Sequence, residues 1–160
     1  MKVMLAAIGR LKESGERDLV ERYKGRFDAA GRAVSLGPLT VVDFAESRAA
    51  DVAARKAEEA QRLVKAAAAA QLMIALDESG TLDTSAEFAR RLQRLRDTGT
   101  QGIAFVIGGP DGLCTSLKTE AQLTLSLGRM TLPHGLARVV LAEQLYRAVT
   151  ILSGHPYHRA

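Results

Sequence analysis

The residues best suited to chemistry lie in the last third of the chain. An apolar run, Ile103 to Ile107, leads into Gly108-Gly109-Pro110-Asp111-Gly112. It is followed by Leu125-Ser-Leu-Gly-Arg-Met-Thr-Leu-Pro-His134 and by a terminal His155-Pro-Tyr-His-Arg159. Glycine-containing loops after buried strands let bare backbone approach a small molecule, and His, Tyr and Arg can meet a polar, anionic partner or move a proton. The pattern predicts a cofactor pocket beside a nucleic-acid site. Asp77 closes another apolar run and would place a third loop at the same edge. The chain has no GxxxxGK[ST] phosphate loop, GxGxxG turn, HExxH or CxxC, which argues against nucleotide hydrolysis and metal catalysis. No metal site is expected, and Cys114, the only cysteine, is read as packing.

These loops need a scaffold, and the hydrophobic pattern supplies one. Short apolar runs read as strands at Lys2–Ile8, Leu39–Phe44, Gln71–Asp77, Ile103–Ile107 and about Leu123–Leu127. Between them, Gly15–Ala30, Arg48–Ala70 and Ser85–Leu95 read as helices, the third begun by a cap at Asp83, Thr84 or Ser85, and a long helix follows at about Leu136–Leu152. Regular alternation of strand and helix predicts an α/β fold with a mostly parallel sheet, where ligands gather beyond the carboxyl ends of the strands. At 160 residues the chain fits one domain with a substantial core.

The formal charge is +4, unevenly spread. From Arg129 onward there are four arginines and one acid, Glu143, whereas the preceding 128 residues carry 18 basic and 17 acidic groups. Localised positive charge suits phosphate recognition. No apolar run reaches the ~20 residues of a membrane helix and no leader pattern opens the chain, so a cytoplasmic location is expected. The terminal helix carries Val139, Val140, Leu141, Leu145, Val149, Ile151 and Leu152 around more than one face, which predicts a homodimer through that helix. Glu143 and Arg147, four residues apart, read as a structural pair.

Taken together, Leu76-Asp77, Gly108 to Leu113, Met130-Thr-Leu-Pro-His134, Arg138, Glu143 to Ala148 and His155 to Arg159 resemble the SPOUT methyltransferases. Within them the resemblance is to the small single-domain group of ribosomal RNA large subunit methyltransferase H, and it runs over residues 1–160. It implies a SPOUT-type parallel sheet sandwiched by helices, with a C-terminal trefoil knot, an exception to the rule that chains do not thread themselves. It also implies methyl transfer from S-adenosylmethionine to N3 of a pseudouridine in helix 69 of 23S ribosomal RNA. The family's cofactor positions fall on Leu76, Gly108 and Leu127, Gly128, Arg129, Met130, Thr131 and Leu132. His134, Arg138, Tyr157 and His158 are the catalytic candidates, the tail being expected to reach the partner subunit's site. With no separate RNA-binding domain, the expected substrate is the assembled ribosome. The alternatives are a non-catalytic ribosome-binding factor with the same fold and a plain nucleotide-binding domain.

Overall fold

The structure, a computed structural model, describes residues 1–12 and 14–157. Five strands, β1 (Lys2–Ile8), β2 (Leu39–Phe44), β3 (Leu72–Leu82), β4 (Gly102–Ile107) and β5 (Leu123–Ser126), form one sheet in the order β2-β1-β4-β3-β5. All four neighbouring pairs are parallel. The helices are α1 (Gly15–Gly31), α2 (Val52–Ala67), α3 (Ser85–Asp97), α4 (Thr115–Glu120) and α5 (His134–Ser153).

Side chains alternate across a strand, and here both faces are covered, which is why the strands read as unbroken apolar runs. Leu5, Ile74, Ile103, Phe105 and Leu125 meet Phe27 of α1, Phe88 and Leu92 of α3, and Leu141, Leu145 and Val149 of α5. Ala6, Ile8, Met73, Ala75, Ala104 and Val106 point the other way, onto Ala60 and Leu63 of α2 and Leu117 of α4. The result is a three-layer sandwich, as predicted.

Several boundaries differ from the sequence reading. The second helix begins at Val52 rather than Arg48 because the Asp51 side chain accepts from Ala54 N at 2.9 Å and fixes the start there. It stops at Ala67. The third strand does not end at Asp77: after an irregularity between Leu76 and Thr81 it pairs with β5 a second time. Gly80 makes this possible, because a β-carbon there would stand 2.6 Å from the backbone carbon of Leu125. The last helix starts at His134, two residues earlier than predicted.

One apolar face of α5 is covered by the chain itself. Leu141, Leu145 and Val149 are fully buried, and Ile151 and Leu152 pack against the same core. Leu136 stays 42% exposed, with Val139 and Val140 half-buried beside it on the helix.

Candidate cofactor and catalytic site

The register brings the three loops together. Leu76 of β3 lies opposite Ile107 of β4 on one side and Leu125 of β5 on the other. Neighbouring strands are about 4.8 Å apart, so Gly108 and Leu127 leave the sheet on either side of Leu76. All these exits lie at the carboxyl edge of the parallel sheet.

Each loop is fixed by its own contacts. Gly108 sits in a turn so tight that a β-carbon would be 2.8 Å from the carbonyl carbon of Gly112 and 2.9 Å from Leu113 N. Gly109 faces inward: its β-carbon would meet Ile8 Cγ2 at 3.0 Å and the Glu59 carboxylate at 3.1 Å. Glu59, buried in α2, accepts from Ser47 N at 2.9 Å, so it ties this loop to the one after β2. Within the irregularity of β3, Asp77 accepts from Ser79 and forms a 3.2 Å pair with Lys118. Burial opposes ionisation of Asp77, but these donors outweigh it and hold the carboxyl below its ordinary range.

In the loop after β5, Ser126 Oγ donates to Gly128 O at 2.8 Å and accepts from Gly128 N at 3.2 Å. Gly128 has φ +150, a conformation open to glycine and poorly tolerated by other residues. Leu127 and Leu132 pack against the core, whereas Arg129, Met130 and Thr131 are exposed, Met130 at 79%. Thr131 Oγ1 donates to Glu78 Oε2 at 3.1 Å, clipping this loop to β3. Among the described residues the backbone N–H groups from Arg129 to Leu132 have no partner. Apolar side chains at Leu76, Leu127 and Leu132 and free backbone donors in the same loop are the kinds of group that suit a neutral purine nucleoside carrying no phosphate.

Two catalytic candidates adjoin these loops. His134 opens α5, and its Nε2 lies 2.7 Å from where a β-carbon on Gly9 would stand, so the imidazole rests on bare backbone at the end of β1. Arg138, one turn on, is fully buried and points away from solvent. It donates from Nη1 to Asp43 Oδ1 at 3.0 Å and from Nη2 to the carbonyls of Ile8 and Gly9; its Nε has no partner. Burial pushes its guanidinium below the ordinary value, against the opposing pull of Asp43 and Glu16. In this arrangement Arg138 organises the end of β1 instead of offering its charge to a phosphate.

Tyr157 is elsewhere. After Gly154, in the left-handed region at φ +69, the chain folds back along α5. The Tyr157 ring packs on Tyr146 with centroids 4.6 Å apart, under Arg147 Cζ at 5.2 Å, and its hydroxyl donates to Glu143 Oε1 at 3.2 Å. Glu143 also takes the 2.6 Å bridge from Arg147, the pair read from the sequence. Nine residues of helix, about 14 Å, separate Glu143 from His134, so one chain does not bring Tyr157 to the loops. His158 lies outside the described residues.

The family model "Predicted SPOUT methyltransferase" matches residues 1–158. The chain belongs to the SPOUT methyltransferase family. It is accordingly an S-adenosylmethionine-dependent methyltransferase, as the resemblance implied. Ribosomal RNA large subunit methyltransferase H of Rhizobium meliloti is 54% identical over 160 residues, and that of Rhodopseudomonas palustris (strain BisB5) is 50% identical over 160, each covering all of both chains. Solved structures are similar in fold. A probable methyltransferase from Bordetella pertussis has a TM-score of 0.55 at 20% identity, with 92% of this chain and 96% of that one covered. A putative methyltransferase from Legionella pneumophila, in complex with its bound cofactor SAM, has a TM-score of 0.52 at 14% identity over 92% of this chain and 66% of that one.

The sequence reading passed over Gly9-Arg10-Leu11-Lys12. The available signal was positional: this segment follows a buried strand, as Gly108 does, and so belongs to the same carboxyl edge.

Proposed function

We propose that this SPOUT methyltransferase methylates large-subunit ribosomal RNA, at N3 of a pseudouridine in helix 69 of the 23S molecule, on assembled ribosomes in the cytoplasm. The observation that carries the reading is the shared register of Leu76, Ile107 and Leu125, which puts the irregularity of β3 and the loops after β4 and β5 at the same edge of the sheet. The two end-to-end relatives named as large-subunit methyltransferases support the RNA substrate. S-adenosylmethionine, when bound, supplies a methyl group already activated on sulfonium. The protein must then align the base, exclude water and let the N3 proton leave. Leu76, Gly108 and Leu127 to Leu132 would hold the cofactor. His134 is placed to orient the base edge or take its proton.

The active form in this reading is a homodimer with a shared site. Leu82, Met130 and Leu136 are exposed apolar side chains at or near the loops, 49%, 79% and 42% exposed, and a second copy would cover them. The chain's own Tyr157 is held along α5, away from its own His134, so a partner's tail would complete the site with His158. The trefoil knot of the family is part of the same reading. No helix among the described residues is long and apolar enough to cross a membrane.

The test is transfer of labelled methyl from S-adenosylmethionine to whole ribosomes and to a free helix 69 hairpin, with the product nucleoside located by mass spectrometry. Ribosome-dependent N3-methylpseudouridine is expected. Calorimetric binding of S-adenosylmethionine without any transfer would instead indicate a binding factor, and equal labelling of the hairpin would remove the requirement for assembled ribosomes.

A further inference from the structure

A concavity opens beside the carboxyl ends of β1 and β2. It has a volume of about 320 Å³ and lies between the segment after β1, the first turns of α1 and β2, with Arg10, Arg17, Val41 and Asp43 in its wall. Arg10, Lys12 and Arg17 are exposed, and none forms a salt bridge among the described residues. The segment from Arg10 to Arg17 carries these three cations against Glu13 and Glu16, a net charge of +1, with Arg10 and Arg17 in the wall of the concavity and Lys12 beside them in the chain. The carboxylates beside them differ in availability. Asp43 is already engaged, its Oδ1 by Arg138 and its Oδ2 by Leu11 N at 3.3 Å. Glu21, on α1, is the one other acid in the wall.

The same contacts hold the basic segment in place. Arg138 grips the carbonyls of Ile8 and Gly9, and Asp43 grips Leu11, so Arg10 is fixed between two anchored residues. Gly9, which precedes it, carries the His134 imidazole against its backbone. A strand of nucleic acid whose base faced His134 would therefore have its backbone within reach of Arg10.

We propose that Arg10, Lys12 and Arg17 form a backbone-phosphate subsite for the RNA substrate, flanking the target nucleotide. The proposal rests on the ribosomal RNA reading above and adds the surface that engages the strand. Such contacts position the RNA without reading its sequence. Arg138 is then a positioning residue that shapes this subsite from within, while the exposed cations touch the phosphates.

The experiment compares wild type, the triple variant Arg10→Gln/Lys12→Gln/Arg17→Gln and a control, Arg22→Gln/Arg90→Gln/Arg94→Gln, that removes the same charge from exposed positions of α1 and α3. Affinity for purified unmodified bacterial ribosomes is measured against salt concentration, with S-adenosylmethionine affinity measured by calorimetry on each protein. Loss of three phosphate contacts should weaken ribosome binding at least ~10-fold at low salt and flatten the log Kd against log salt slope by roughly 2 to 3. Cofactor affinity should not move, which shows that the variant is folded, and the control should bind ribosomes like wild type. An unchanged slope in the triple variant overturns the subsite, and so does an equal loss in the control, which would reflect net charge alone. Failure of the wild type itself to bind or methylate ribosomes would overturn the ribosomal RNA reading and the subsite with it.

Discussion

Replacing Asp43 by alanine should be far more damaging than its partial exposure suggests. The Asp43 side chain is 27% exposed, but its partner Arg138 is 0% exposed, so the substitution leaves a guanidinium inside the protein without its counter-ion. Breaking a buried pair in this way typically costs about 3–5 kcal/mol. Arg138 keeps its bonds to the Ile8 and Gly9 carbonyls, and Glu16 lies near enough to favour its charge. The lower end, about 3 kcal/mol, is therefore expected. Leu11 N also loses its acceptor, a long, part-buried bond at 3.3 Å that adds little to the loss. With a urea m-value of about 2 kcal/mol/M, the unfolding midpoint should fall by about 1.5 M with m unchanged. The double variant Asp43→Ala/Arg138→Met should recover part of that loss, because an apolar side chain of similar length has no charge to strand. An Asp43→Ala midpoint equivalent to less than about 0.5 kcal/mol, or losses in the double variant that simply add, would refute the view that Asp43 neutralises Arg138.

Gly109→Val should lower both melting temperature and S-adenosylmethionine affinity, with about 1–3 kcal/mol lost to overpacking. The cause is internal: the new carbons strike Ile8 and the Glu59 carboxylate rather than standing in the cofactor slot, so Glu59 must release Ser47 N. Wild-type values for both quantities would contradict this. Tyr157 should ionise late, because burial first, and then Tyr23 and Glu143 beside it, push its phenol up to about 12. A folded-state value above the unfolded value of about 10 means the folded protein holds this proton more tightly. Its stabilising contribution is complete below pH ~10 and is lost as pH rises from there through about 12. Ultraviolet phenolate titration of wild type against Tyr157→Phe measures this, and a Tyr157 transition near pH 10 would show that the ring is not held buried against α5 in solution.

How much of this protein is written locally is clear from particular residues. The strands Lys2–Ile8 and Leu39–Phe44 agree with the structure residue for residue, because a strand covered on both faces leaves an apolar signature that needs no context. The turns after β4 and β5 were equally visible, since Gly108 and Gly128 answer to backbone demands within a few residues. The continuation of β3 past Asp77 was not: Glu78-Ser79-Gly80 is polar and turn-like, and only the backbone of β5 against Gly80 keeps it in the sheet. Arg138 shows the same limit. Its residue type made it a catalytic candidate, but its depth and its reach to Ile8, Gly9 and Asp43 depend on contacts 95 to 130 residues away in the chain. Propensity and hydrophobic period therefore sufficed for the elements and their order. Which charges face solvent and which are spent inside was decided by tertiary packing, because burial is a property of what lies across the fold and not of neighbours in sequence.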